Sequence, residues 1–232
     1  MKLTENHIEQ LYIFTREHYV EYYDVQTEIV DHLANDIEQI WVSQPLLSFE
    51  QAREKSFKKF GIFGFMDVVN SKESQMTKKY FKLILKFTKE WFQLPKIVLT
   101  IVLFFLFYQL QNIPNADMIY NAIFMLVVFG QITLMILNSR KLKKKFKVTQ
   151  KKWLFENVIN IQGLGASAIL FIYFFDFPFS NTNAFLAMGD FRKVYSAFLI
   201  TFLVIIGYIT LVVIPKKANQ LLEETYPKHK LS

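Results

Sequence analysis

Four titratable residues crowd one short stretch of this chain: Glu28, Asp31, His32 and Asp36, within EIVDHLAND. On a helix, Glu28–His32 and His32–Asp36 are each four residues apart and can touch. An imidazole between carboxylates could begin a metal site, with His7, Glu17, His18 or Glu21 as further ligands. Two ligands on one helix are not enough, because a tetrahedral site takes three or four. The same setting would suit His32 to sensing pH. The plainer reading keeps His32 on a helix face, held by neighbouring carboxylates.

A second polar set, Glu156, Asn160, Gly163 and Ser167, falls on one stripe of an otherwise apolar run. An ionisable residue at membrane depth points to function, and a polar stripe could line a pathway. Gly163-x-x-x-Ser167 is also the spacing that lets two helices approach closely, and packing explains the stripe more simply. Glu156 lies near Lys151 and Lys152, close enough to reach an interface. The chain has no Cys, which excludes thiol catalysis and disulfides. It also carries no P-loop, GxGxxG, HExxH or nucleophile elbow. No catalytic residue, metal or cofactor is expected, and the chain reads as a non-enzyme.

Elements of membrane type must carry these residues. Of 232 residues 52% are hydrophobic, and 25 are Phe, a heavy load for one soluble core. Apolar runs at about 95–113, 118–137, 153–175 and 194–214 each approach the roughly 20 residues that cross a bilayer. The formal charge of +7 divides unevenly. Residues 1–70 carry 12 acids and 6 bases, residues 71–96 carry 7 bases and 2 acids, and residues 138–152 carry 8 bases and no acid. Nucleic-acid binders concentrate base on the folded domain, whereas here it flanks the apolar runs, so no direct nucleic-acid contact is expected. The intervening loops 111–117 and 176–193 hold only Arg192 and Lys193 as bases. The positive-inside rule then puts both termini, and the KLKKKFK loop, in the cytoplasm. The opening MKLTENHIEQLYIF has no basic region followed by an apolar run, so no cleaved leader is expected.

The expected fold is all-α: a small acidic cytoplasmic head (1–70), a basic amphipathic interfacial helix (71–94), a four-span bundle (95–214) and a cytoplasmic tail (215–232). Thr4 should cap a first helix over 4–20 with Ile8, Leu11, Tyr12 and Thr15 on one side. A second helix over 24–42 should bury Val25, Ile29, Leu33, Ile37 and Ile40/Trp41. Ser48 and Gln51 form a capping box that opens a third helix, ending at Gly61 in the left-handed region. A short helix at FMDVV and a junction at SKES should follow. In the interfacial helix, Lys79, Lys82, Lys86 and Lys89 recur on one face against Tyr80, Ile84, Phe87 and Trp91 on another, a pattern for lying among lipid headgroups. Pro95 should bend the chain into the first span.

The stretches EIVDHLANDIEQIW and SFEQAREKSFKKFG resemble the HAAS-type signalling domain and the similar prefix domain ahead of some bacterial permeases. Glu28, His32, Leu33, Glu50, Ala52, Phe60 and Gly61 match that pattern, while SQPLL stands where a Gly turn is usual. The resemblance covers about residues 5–70 and does not extend to the spans. It implies a head that binds a cytoplasmic protein, a PadR-like repressor or a transporter component, from the bacterial inner membrane. The expected function is regulatory or signalling, with a small transporter or transporter accessory subunit as the alternative. Lipids are expected partners, and an oligomer is compatible with the sequence.

Overall fold

The computed structural model describes residues 2–114, 116–161 and 189–226, apart from the side chains at 117, 120, 121 and 124. Among them, every regular element is a helix: α1 (Glu5–Glu17), α2 (Tyr23–Ser43), α3 (Phe49–Phe57) with a 3-10 turn (Lys58–Phe60), α4 (Met66–Trp91), α5 (Lys96–Leu110), α6 (Ala116–Thr149), α7 (described over 154–161), α8 (Asp190–Tyr208), α9 (Ile214–Lys216) and α10 (Ala218–Thr225). A π turn, Ile209–Val213, joins α8 to α9. The chain divides into two compact units. One holds residues 1–78 with 146–158, the other 79–145 with 159–232.

The first unit contains the head. Thr4 and Ser48 cap α1 and α3 as their spacing requires, each in a reciprocal box, with His7 and Gln51 returning the bond. Leu11 and Thr15 of α1 are buried, as are Val25, Ile29, Leu33, Ile37, Ile40 and Trp41 of α2. Leu47, in the SQPLL turn, accepts from Trp41 Nε1 at 3.0 Å. That bond satisfies the indole of a buried side chain. Phe14, His18, Phe57, Phe60 and Phe65 form one aromatic cluster, with ring centroids 4.2–6.0 Å apart along its contacts. Gly61 has φ +81° but ψ −164°, so it takes positive φ without the left-handed helical ψ expected of it.

Two expectations of the sequence do not hold. SKES is no junction: α4 runs unbroken from Met66 to Trp91, because the stretch contains neither Gly nor Pro to stop a helix. KLKKKFK is no loop but the end of α6, whose 34 residues extend about 51 Å at 1.5 Å per residue. That exceeds the roughly 30 Å of hydrocarbon in a bilayer. Within the expected tail, α10 buries Leu221 and Leu222.

In the second unit α5 packs on α8. Phe107, Ala116, Ala197 and Ile200 form a buried cluster, flanked by Leu103, Phe104 and Val204. At its edge Gln111 Nε2 donates to the carbonyls of Phe107 and Lys193 (3.2 and 3.0 Å). Lys193 Nζ donates to Asn112 Oδ1 at 2.8 Å. α4 and α5 meet at 87°, across a break that contains Pro95, and Trp91 Nε1 ties them by donating to Thr100 Oγ1 at 3.1 Å. Two helical stretches among the described residues are long and apolar enough to cross a membrane, Met125–Thr149 and Asp190–Lys216, and the bent α4–α5 pair makes a third candidate.

Candidate functional site

The head closes on the segment that leads into α7. α2 starts at Tyr23 with no side-chain cap of its own, and the first N–H groups of any helix lack partners within it. Tyr23 N donates to Lys152 O at 2.7 Å. In return, Leu154 N, the first N–H of α7, donates to Asp24 Oδ1 at 3.0 Å. Each helix start thus satisfies a free group of the other, and the Asp24 carboxylate complements the positive end of the α7 dipole. Lys152 Nζ reaches Glu21 Oε2 at 2.7 Å, Asn157 Nδ2 donates to the Tyr22 hydroxyl at 2.8 Å, and Lys151 Nζ sits 4.6 Å from the centre of the Tyr23 ring. The Tyr23 ring meets Trp153 edge-on at 5.6 Å. Trp153, Leu154, Phe155 and Val158 are all buried. Burial pushes the Tyr22 hydroxyl pKa above its ordinary value, Glu73 and Glu21 push in the same direction, and the bond from Asn157 opposes them.

This latch changes the reading of the third apolar run. The run was expected to enter the membrane at Trp153, but its first residues fold in the compact unit of the head. Hydropathy cannot separate a side chain buried in protein from one buried in lipid. Glu156, the first residue of the polar stripe, belongs to that unit. Asn160 accepts from Ser139 Oγ at 3.2 Å in the other unit. Gly163 and Ser167 lie outside the described residues.

The charged cluster on α2 is drawn apart into ion pairs. Glu28 pairs with Lys72 of α4 (2.8 Å) and Asp36 with Lys59 (2.6 Å). Burial works to raise the Asp36 carboxyl, yet the bond and charge of Lys59 hold it below its ordinary value. His32 is exposed beside Leu33, which is buried. Among the described residues no three His, Asp or Glu side chains come together as metal ligands. Of the other residues in the head pattern, Ala52 is buried, Phe60 is half-buried and joins the aromatic cluster, and Glu50 is exposed.

The faces of α4 also differ from expectation. Tyr80 and Phe87 are buried, and Ile84 and Trp91 half-buried. Lys217 stands over the Phe87 ring and Tyr208 packs on Trp91. The face meant for lipid therefore packs on protein. The exposed side instead presents Phe81 and Leu85 beside Lys82, Lys86 and Lys89. Lys79 leaves that group: it is half-buried and donates to Thr225 Oγ1 of α10 at 2.7 Å. Sequence reasoning missed the latch entirely. Its one visible signal was a Trp-Leu-Phe run placed directly after two lysines. No protein-family model, curated protein or solved structure matches this chain.

Proposed function

We propose that this chain is a regulatory protein of the bacterial inner membrane, spanning it four times with both termini in the cytoplasm, and that its head binds a cytoplasmic protein. The observation that supports this reading is the latch. A partner bound to the head would act on the helix start that caps α7, the beginning of the third apolar run. The lengths of Met125–Thr149 and Asp190–Lys216 support the membrane placement. The basic end of α6 fits the cytoplasmic side. On α4, the exposed Phe81, Leu85, Lys82, Lys86 and Lys89 suit a helix lying among headgroups.

Two measurements test the reading. Reporter fusions after Asn115 and Thr182 should register outside and one after Lys145 inside; a cytoplasmic signal at Asn115 defeats the topology. The full-length chain should co-purify with the PadR-like repressor or transporter component encoded beside it, and hydrogen exchange at residues 154–158 should change on binding. Failure to associate, or association that leaves those amides untouched, defeats the regulatory role.

A further inference from the structure

The turn between α3 and α4 carries a hydrophobic tip that nothing in the head covers. Gly64 N donates to Gly61 O at 3.3 Å, closing a tight turn with Ile62 and Phe63 at its centre. Both flanking glycines have positive φ, +81° and +55°, a conformation that costs other residues strain. A Cβ at Gly64 would also stand 3.1 Å from the Phe57 ring. Beneath the turn Phe65 is buried against Phe57 and Phe60 at 4.9 and 4.8 Å. The base is anchored and the tip projects: Ile62 is 99% and Phe63 70% exposed.

Charge segregates to the same place. The acidic head holds 6 bases, and four of them, Arg53, Lys55, Lys58 and Lys59, lie just before the tip. No acid occurs between Lys55 and Met66. Lys55 and Lys58 are exposed, whereas Lys59 is already paired with Asp36. Two apolar side chains on a convex turn offer far less than the roughly 800 Å² that each partner contributes to a stable protein interface. A bilayer yields to a convex tip and needs no matching groove, and anionic headgroups complement the lysines. A head tethered to a membrane span meets that surface at high effective concentration, so a small contact suffices.

We propose that the Ile62–Phe63 turn is a lipid-inserting tip that docks the head on an anionic membrane surface. The proposal rests on the membrane placement given above. The absence of Cys allows single labelling sites in the full-length chain. Met66→Cys, just beyond the tip, would carry an environment-sensitive fluorophore, with Leu46→Cys on the head and Leu126→Cys in α6 as controls. The protein is reconstituted in vesicles of phosphatidylcholine and phosphatidylglycerol containing nitroxide-labelled lipid. The label at 66 should be quenched and blue-shifted, and the label at 46 should not. Replacing Ile62 and Phe63 together by Ser, or omitting phosphatidylglycerol, should abolish quenching at 66 while the label at 126 stays quenched. A label at 126 that is quenched beside one at 66 that is not overturns the tip and leaves the membrane reading standing. Absence of quenching at 126 defeats both. Equal quenching at 46 and 66, quenching at 66 that survives the Ser pair, or a label at 66 shielded from aqueous iodide but not reached by lipid nitroxide each overturns the tip. The last outcome would assign it to a protein surface.

Discussion

Asp24 lies in the first turn of α2, where its charge also favours that helix's own dipole, and its Oδ1 accepts from Leu154 N. Removing the carboxylate should therefore loosen α7 without unfolding α2. Asp24→Ala should lose about 1 kcal/mol, as other N-cap deletions do, and raise hydrogen exchange at residues 154–158. Asp24→Asn keeps an acceptor and should lose less. Equal exchange in all three proteins would mean that the bond carries nothing. Asp36 gives a pH test. Its folded carboxyl lies below the ordinary value near 3.9. The pair with Lys59 therefore contributes above that ordinary value, and the contribution is lost as pH falls through the lower folded one. Asp36→Asn should melt below the parent at neutral pH, and the gap should close in acid. A gap that is constant with pH would show that charge is not involved.

The join between α8 and α10 shows how one element depends on another. Pro215 has no N–H to offer the carbonyl of Leu211, four residues earlier. Asn138 Nδ2 of α6 donates to that carbonyl at 3.1 Å. The helix is already irregular there, with the π turn at Ile209–Val213, a common companion of a disturbed hydrogen-bond ladder. Asn138→Ala should lower the thermal stability of the detergent-solubilised protein by about 1 kcal/mol, in the range of interhelical polar bonds in membranes. In a Pro215→Ala background, where a backbone N–H returns, the same change should matter less. Additive losses in the double variant would show that Asn138 does not serve the orphaned carbonyl.

At the scale of the molecule the latch joins distant sequence, residues 21–24 and 151–157, within one compact unit. The head's core is therefore incomplete without the segment after α6. Expressed alone, residues 1–78 should be helical but less stable than the same residues in the full chain. A domain this small buries only about 60% of its unfolded surface even when whole. A peptide of residues 146–160 added in trans should raise the fragment's melting temperature, and the same peptide with Trp153→Ala and Phe155→Ala should not. A fragment indifferent to the peptide would show that the head is autonomous.

Local signals were legible in the sequence wherever a few neighbouring residues decide the outcome. Ser48 and Gln51 cap α3 because a capping box closes within four residues. The apolar spacing of α2 fixes its buried side because a helix presents residues three and four apart on one face. All-helical character, and the presence of stretches long and apolar enough to cross a membrane, follow from the same short-range logic. Tertiary structure alone decided what each apolar face meets. Tyr80 and Phe87 read as lipid-facing but pack on protein, and Trp153, Leu154 and Phe155 read as the start of a span but fold with the head. The physical reason is that apolar transfer out of water is non-directional. A hydrophobic pattern records that a side chain leaves water, and only the packing of remote segments determines whether it enters lipid or protein.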